Sequence, residues 1–420
     1  MALAPIRRVL ANGLTVIAAQ NRLIPAVSLA IGVDAGASAD PVGAVGTAAL
    51  MARVLDKGTR HYSADAIADE LDGRGASLSV GTGRQQVVVS ATCLVGDLGA
   101  VLPVACDVAR SPVFPETEVT TRRGELLTAI REAADDPGSV AVDALNAALY
   151  PAGHPLGRPV RGYAADVAGL SRDHLQAFHR RAFAPSAATV VVVGDLDASH
   201  LVDAVATHMS DWTGTADAVA PPVAPPAVGG RQIIVRPMPD KSQADVAYGF
   251  VGLTRGDDDY YAALVMNNAL GQYALGGRLG DSIRERQGMA YYVFSSLDAG
   301  LVPGPLMVRA GVSSANVQRT IESIDAELNA VLLGGFTKKE VDDSKRYLIG
   351  SLPRQLETNG GIAGFLLSAE VFGLGIDHDQ RLPARITAVT DDDVARVARR
   401  LLDPGRAVIV VAGPWTGPAA

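Results

Sequence analysis

The chain has 420 residues, a net charge of −8 and an apolar fraction of 48%. This length is too great for one average hydrophobic core and predicts two domains of about 200 residues. The negative charge without a basic cluster, and apolar runs no longer than a strand, argue against nucleic acid or a membrane as the partner. Residues 1–8 contain no apolar segment typical of a signal peptide. We therefore expect a cytoplasmic protein, or a periplasmic one whose signal peptide has been removed.

The first half of the chain is predicted to mix strands and helices. The predicted strands are residues 13–18, 26–33 and 86–92, and the predicted helices are residues 43–56, 63–74, 95–109 and 116–133. The first two strands are expected to form a hairpin. The Gly-rich pieces at residues 73–75 and 81–83 match no nucleotide-binding motif, so we interpret them as turns.

A Pro-, Ala- and Gly-rich stretch without apolar periodicity predicts a stiff connector between two domains. We place the domains at residues 1–220 and 231–420, with the linker at 221–230. The second domain is predicted to begin with two strands and a helix, at residues 231–236, 243–251 and 258–271. Because strands and helices do not alternate strictly, we expect an α+β fold, with a mixed, largely antiparallel sheet in each domain and helices packed on one face.

The C-terminal parts of the two halves repeat. Residues 173–195 match residues 392–414 at a constant offset of 219. Each copy reads as an amphipathic helix ended by Pro and followed by an apolar strand. A repeat of this length indicates that the two domains are homologous copies of one duplicated unit.

The segment at residues 46–59 reads Gly-Thr-Ala-Ala-Leu-Met-Ala-Arg-Val-Leu-Asp-Lys-Gly-Thr. It resembles the zinc-binding helix of the pitrilysin and mitochondrial-processing-peptidase family, which reads roughly G-x-A-H-x-x-E-H-x-x-x-K-G-T. The positions of the first His, the Glu and the second His hold Ala49, Ala52 and Arg53. The outer letters of the motif match at residues 46, 48 and 57–59.

In such a motif, two His four residues apart hold zinc and the Glu takes a proton from zinc-bound water. The resemblance implies a third ligand about 76 residues downstream, at the position of Ala129. Ala has no donor atom, and Arg is a cation that does not bind zinc. We therefore expect neither metal nor cofactor in this chain, and zinc in a partner chain.

Residues 276–292 resemble the family segment R-L-x-x-x-(I/L)-R-E-x-x-G-x-A-Y. The resemblance implies that Arg284 and Tyr291 contact the substrate peptide near the scissile bond. An Arg can donate to a peptide carbonyl, and a Tyr hydroxyl can stabilise the oxyanion of a tetrahedral intermediate. The alternative interpretation is a surface Arg at a helix end and a Tyr that fills the core.

The resemblance extends over nearly the whole chain, since residues 136–137 and 154–162 also match the family pattern. We interpret His154 as structural, and Cys93 and Cys106 as buried thiols. The other histidines lack the spacing of a metal site on a helix, so no substitute metal site is expected. The acidic runs at residues 257–259 and 391–393 are expected at helix N-termini.

These features predict a metal-free subunit that pairs with a homologous zinc-bearing peptidase chain as a heterodimer. In the enclosed chamber of such a pair, extended peptides would bind by adding a strand to an exposed sheet edge. The alternative is a non-proteolytic structural subunit, like the core proteins of the respiratory cytochrome bc complex. A pure scaffold needs neither Arg284 nor Tyr291, so their presence favours the peptidase subunit.

Overall fold

The computed structural model describes residues 3–217, 229–272 and 276–417. They form two compact units, each built around one sheet. Unit 1 contains the described residues up to 131, residues 159–217 and residues 353–380. Unit 2 contains residues 132–158, the described residues from 229 to 352, and those from 381 onward.

The elements follow the chain in this order. The strands are β1 (Ile6–Val9), β2 (Thr15–Gln20), β3 (Ala26–Val33), β4 (Ser77–Thr82), β5 (Val87–Leu94), β6 (Ala188–Gly194), β7 (Gln232–Pro237), β8 (Ala244–Val251), β9 (Ala290–Leu297), β10 (Pro305–Val312) and β11 (Val408–Gly413). The longer helices are α1 (Thr47–Val54), α2 (Ala64–Asp72), α3 (Leu98–Arg110), α4 (Glu116–Asp135), α5 (Pro137–Leu149), α6 (Ala164–Ala168), α7 (Arg172–Ala182), α8 (Ala198–Met209), α9 (Tyr260–Asn267), α10 (Val317–Gly334), α11 (Lys338–Gln355), α12 (Asn359–Val371), α13 (His378–Ala388) and α14 (Asp391–Leu401). Two further helical segments with wide turns are Asn268–Gln272 and Gly280–Arg286.

The two sheets share one topology apart from β1, an additional edge strand of unit 1. The strand order is β1-β2-β6-β3-β5-β4 in unit 1 and β7-β11-β8-β10-β9 in unit 2. The repeated strands β6 and β11 take the same place, because each pairs parallel with one neighbour and antiparallel with the other. All other pairings are antiparallel. The predicted α+β fold with mixed, largely antiparallel sheets is confirmed.

The predicted hairpin of β2 and β3 is wrong, because β6 lies between these strands and pairs with both. The physical reason is the composition of β6, whose run of valines is buried on both faces and therefore requires a central position. The sequence analysis also missed β1 and β4. Gly81, which was interpreted as part of a turn, lies inside β4.

Helices cover one face of each sheet, and a single helix covers the opposite face. In unit 1, α1, α3 and α8 pack on the large core, and α12 packs on β3 and β6 from the other side. In unit 2, α5 packs on β8 and β11 in the same way. Each single helix comes from the other half of the sequence, so the compact units depart from the predicted division into 1–220 and 231–420 at these segments. Residues 218–228, with most of the predicted linker, lie outside the described residues.

Candidate functional site

The start of α1 is fixed by a close approach of two glycines. Gly46 and Gly162 have φ values of +107° and +84°, a region that favours glycine. A Cβ at Gly162 would lie 2.3 Å from the carbonyl oxygen of Val45, which leaves no room for a side chain. Asp40, which the sequence analysis missed, accepts hydrogen bonds from the backbone N–H groups of Gly46 at 2.7 Å and Ala48 at 2.8 Å.

The end of the motif forms the turn that leads into α2. Gly58 has a φ of +133°, and the Thr59 hydroxyl accepts the backbone N–H of Tyr62 at 3.0 Å. The backbone N–H of Thr59 donates to the Tyr62 carbonyl at 2.8 Å. Four of the matching outer positions, residues 46, 48, 58 and 59, therefore have backbone roles that do not depend on a metal.

The inner positions have no groups that could hold zinc. Ala49 and Ala52 are buried on α1, and Arg53 is exposed. Ala129 lies half-buried on α4. Neither Ala nor Arg supplies a ligand atom, and no group of three or more His, Cys, Asp or Glu that could bind a metal occurs among residues 3–217, 229–272 and 276–417. A zinc ion does not fit this site.

A small cavity of about 220 Å³ lies where α1, β4 and α4 meet. Ala52 and Arg53 line it from α1, Val80 from β4, and Arg122 and Glu125 from α4. Ala129 lies one turn beyond Glu125 on the same helix. The structure thus brings the α1 positions of the motif beside α4, which carries Ala129.

Tyr291 occupies a β-bulge near the start of the edge strand β9. Tyr292 pairs with Gly311 and Ala290 pairs with Val312, so Tyr291 has no partner on β10. By strict alternation Tyr291 would share the buried face of Val293. The extra residue of a bulge re-aims its side chain, and Tyr291 is 77% exposed. The alternative interpretation of a Tyr that fills the core is therefore wrong.

Arg284 lies in the helical segment that precedes β9 and is also exposed. Its closest ionic contact is 3.9 Å from its neighbour Glu285, which is long for a stabilising pair. Gly288, with a φ of +61°, ends the segment and its N–H donates to the Arg284 carbonyl at 3.0 Å. Within the described residues, neither Arg284 nor Tyr291 makes a side-chain hydrogen bond. Both polar groups are available to a ligand.

A polar cluster that the sequence analysis missed holds the residue beside Tyr291. The Tyr292 hydroxyl donates to Asp245 at 2.5 Å, and Arg309 donates to Asp245 at 3.0 Å and to the Tyr292 oxygen at 3.2 Å. Burial, together with the hydrogen bond to Asp245, raises the pKa of Tyr292 well above its ordinary value. The cluster anchors β9 next to the bulge. Its sequence signal is the single carboxylate of Asp245 within the apolar strand β8.

The four sheet edges differ in how they are protected against pairing with another strand. Charged residues and Pro are common guards of sheet edges. The edge strand β1 carries Arg7 and Arg8, and β7 carries Arg236 and Pro237. The edge strands β4 and β9 contain no charged residue and no Pro. These two unguarded edges occupy equivalent places in the two sheets.

The remaining predicted sites have structural positions. His154 accepts the backbone N–H of Leu156 at 3.1 Å and stacks on Tyr150. Cys93 and Cys106 are free and buried. Burial raises the pKa of the Cys93 thiol to about 11 and that of the Cys106 thiol to about 12, which keeps both unreactive at neutral pH.

The two acidic runs lie at helix N-termini, as expected. Asp391, Asp392 and Asp393 form the first turn of α14, where Asp393 and Thr390 make a capping box. Residues 257–259 precede α9, and Asp257 and Asp259 both form ion pairs with Arg400.

Comparisons with known proteins agree with this fold. Residues 15–163 match the family model described as insulinase (peptidase family M16), and residues 169–348 match the model described as peptidase M16 inactive domain. A Mycobacterium tuberculosis protein named as an uncharacterized zinc protease is 32% identical over 411 residues, which cover 96% of this chain and 91% of that protein. A probable mitochondrial-processing peptidase subunit beta of Schizosaccharomyces pombe is 26% identical over 94% of this chain and 88% of its own length.

A crystal structure described as a peptidase M16 inactive domain from Pseudomonas fluorescens superposes with a TM-score of 0.92. Its sequence is 26% identical, and the match covers 99% of both chains. In the part of the chain that the structure describes, no helix is long and apolar enough to cross a membrane.

Proposed function

The chain belongs to peptidase family M16, and from this membership we propose that it is the metal-free, substrate-binding subunit of a heterodimeric zinc metalloendopeptidase. The observation that carries the proposal is the contrast between two sites. The positions of the zinc motif hold Ala49, Ala52 and Arg53, whereas Arg284 and Tyr291 remain and are exposed. A chain that keeps groups for the substrate without the metal is suited to a partner that carries the metal.

In this proposal, peptides bind in extended form by adding a strand to an unguarded edge. Main-chain hydrogen bonds then supply affinity, and side chains near the edge supply specificity. The edges of β4 and β9 contain neither charge nor Pro, so nothing in their composition opposes such pairing. β9 itself carries Tyr291, which would place the hydroxyl beside the bound peptide.

The chemistry of this chain is limited to orientation and charge stabilisation. A partner chain with an intact zinc motif would supply the metal-activated water. Arg284 would donate to a carbonyl oxygen of the peptide and hold the peptide in register. Tyr291 would donate its hydroxyl to the oxyanion that develops when the scissile carbonyl is attacked.

Co-expression with each homologue from the same cell tests the proposal. We expect a homologue with the His-x-x-Glu-His motif to co-purify with this chain, and chelator-sensitive proteolysis to appear only in the mixture. A chain that runs only as a monomer or self-dimer in the presence of every such homologue would contradict the heterodimer. A stable pair without proteolysis would instead support the structural-subunit alternative.

Metal analysis of the isolated chain is a second, independent test. We expect the purified chain to bind no zinc tightly and to cleave no peptide, because all four positions of the motif lack a donor or a base. Zinc near one equivalent per chain, with proteolysis that a chelator abolishes, would refute this part of the proposal.

A further inference from the structure

The small cavity beside α1 is lined mainly by charged side chains. Five charged side chains line it: Arg53, Asp56, Lys57, Arg122 and Glu125. These are three cations and two carboxylates, and a third carboxylate, Glu118, lies 3.3 Å from Arg122, so the charges in this region balance. An anionic ligand is therefore favoured only by a cation that has no carboxylate partner.

The cation without a carboxylate partner is Arg53. Arg122 donates to Glu125 at 2.7 Å, and Lys57 donates to Asp56 at 2.9 Å. Arg53 is exposed and makes no hydrogen bond or ion pair with any described residue. Two of the three cations are therefore neutralised within the cavity, and the third is free to bind a ligand.

Arg53 also lies beside the unguarded edge of the sheet in unit 1. Its helix α1 packs against β4, and Arg53 and Val80 of that strand line the same cavity. A strand added to β4 would run about 4.8 Å beyond it. A side chain or chain end of such a strand, directed toward α1, would meet the Arg53 guanidinium.

We propose that Arg53 binds one carboxylate of an extended peptide that pairs with β4, either an Asp or Glu side chain or the C-terminal carboxylate. The proposal rests on the proposed function, because it takes for granted that peptides add to this edge. A guanidinium matches a carboxylate with two parallel hydrogen bonds. In this proposal, Arg53 stands at a position of the zinc motif and binds the peptide as a fixed cation, but it does not activate water.

The charge of the cavity favours a carboxylate over a phosphate group. One carboxylate neutralises the single free cation. A phosphate monoester carries between −1.5 and −2 charges at neutral pH, and its excess charge would face Asp56 and Glu125, which line the same cavity. Like charges that line one cavity oppose binding.

The test is a binding titration of the full-length wild-type chain with labelled, unstructured peptides at low salt, followed by fluorescence anisotropy. One uncharged peptide with an amidated C-terminus serves as the reference. The first arm compares an internal Glu with Gln at each position, and the second compares a free C-terminal carboxylate with the amide. We expect one carboxylate position to strengthen binding on the order of tenfold, as for one charge-assisted pair.

The variant Arg53→Gln is expected to abolish this difference and to leave binding of the uncharged peptide unchanged. Arg60→Gln is the matched control, because Arg60 is exposed, lies outside this cavity and changes the net charge by the same amount. The preference for a carboxylate should survive in this control. The arm in which it appears identifies a side-chain or a C-terminal carboxylate.

Three results would overturn the proposal. Equal binding of carboxylate and neutral peptides would remove the Arg53 site while leaving peptide binding intact. If Arg53→Gln and Arg60→Gln reduce the preference for a carboxylate equally, the preference comes from the net charge of the protein and not from a site at Arg53. Absence of binding by every peptide would refute the inference together with peptide binding at β4, whereas the heterodimer stands or falls separately on co-purification.

Discussion

β4 and β9 occupy equivalent edges of the two sheets, whose strand orders agree apart from the additional strand β1, and the surroundings of the two strands differ. β4 keeps regular pairing with β5 and lies beside a helix whose backbone frame is intact but whose inner positions hold Ala and Arg. β9 contains a bulge that exposes Tyr291. The comparison teaches that equivalent edges of two similar sheets can lie beside different side chains, a buried Ala-rich helix face at β4 and an exposed Tyr at β9.

The largest expected effect concerns the backbone frame around α1. Gly162→Ala would place a Cβ 2.3 Å from the Val45 oxygen at a φ of +84°. Overpacking and left-handed strain together predict a loss of roughly 2–5 kcal/mol in the free energy of unfolding. Urea denaturation measures this loss. If the variant is as stable as the wild type, the outer letters of the motif do not have the backbone role assigned to them.

Gly43→Ala is the matched control for this prediction. Gly43 has a φ of +77°, and a Cβ there would meet nothing within 4 Å. Only strain remains, so we expect a loss of about 1–2 kcal/mol. The difference between the two variants measures the close approach of Gly162 to the α1 frame.

The second prediction concerns β9 and its exposed residue Tyr291. Tyr291→Phe in the assembled complex removes one hydroxyl and little packing. If the hydroxyl stabilises the oxyanion, kcat should fall on the order of 10- to 1000-fold. Arg284→Ala should also raise KM, because Arg284 would hold the peptide in register. Steady-state kinetics and melting temperatures measured on both variants separate lost chemistry from lost stability.

Tyr163→Phe is the control for Tyr291→Phe, since Tyr163 is also an exposed Tyr but belongs to unit 1, whereas β9 belongs to unit 2. It should leave kcat and assembly unchanged. Wild-type kinetics in an assembled Tyr291→Phe complex would remove the main reason for regarding this chain as a peptidase subunit. If Tyr291→Phe weakens assembly with the partner chain but each assembled complex turns over normally, Tyr291 belongs to the subunit interface instead.

A third prediction uses a difference within the sequence repeat. His179 on α7 corresponds to Ala398 on α14 at the offset of 219 residues. His179 stacks on Phe183, and its Nε2 donates to the Ala109 carbonyl at 2.9 Å. Burial, assisted by the charge of Arg180, lowers the pKa of His179 to about 4. Unit 1 therefore contains a half-buried neutral His where unit 2 has a methyl group.

The sign of the pH dependence follows from this lowered pKa. Between the ordinary value of 6.5 and about 4, the unfolded chain binds a proton that the folded chain does not. Stability is thus complete above pH 6.5 and falls as the pH decreases toward 4, by up to about 3 kcal/mol. Hydrogen exchange should show that unit 1 opens before unit 2 in acid.

His179→Gln tests this pH dependence, because Gln keeps an N–H donor for Ala109 but does not titrate. The acid-dependent loss should shrink in this variant, as measured by urea denaturation between pH 4 and 7. His200→Gln, at an exposed position on α8, should retain the wild-type slope. The prediction is contradicted if His179→Gln keeps the full slope.

Much of the fold could be predicted because its signals are local or repeated. The apolar runs of β6 and β11 identify strands, and the repeat identifies the duplication. The positions of α5 and α12 could not be predicted, because an amphipathic pattern shows that a helix is half-buried but not which sheet covers it. The predicted hairpin of β2 and β3 was wrong because strands that are neighbours in sequence need not pair, and β6 pairs with both of them.

In the candidate site, too, some features follow from local sequence and others depend on contacts made only in the folded chain. The assignment of Ala49, Ala52 and Arg53 to the positions of a zinc motif rests on the resemblance and stays a prediction. The role of Tyr291 also stays a prediction, although its side chain is exposed. The bulge itself depends on the register between β9 and β10, which no local pattern specifies. The capping carboxylate of Asp40 was missed because it lies outside the resembling segment and approaches the helix only in the folded chain.

The last prediction concerns whether the backbone around α1 has the geometry of a metal site. The triple variant Ala49→His, Ala52→Glu and Arg53→His restores the helix motif but leaves one ligand missing at Ala129. Adding Ala129→Glu completes three protein ligands. Structural zinc sites yield about 10–16 kcal/mol from four ligands, so one ligand contributes roughly 3 kcal/mol, or on the order of 100-fold in Kd.

Zinc titrations against a competing chelator measure this difference between the triple and quadruple variants. A quadruple variant with Ala52→Gln in place of Ala52→Glu is the control, because it should bind zinc equally well but lack the base that accepts a proton from bound water. Because Gly46, Gly162 and Asp40 fix α1 without help from a metal, we expect the quadruple variant to bind zinc tightly and the triple variant only weakly. Equal affinity of the two would show that Ala129 is not the third position. Weak binding by both would show that the frame has lost the geometry as well as the ligands, and the contrast between an intact frame at β4 and an intact pair at β9 would then no longer hold.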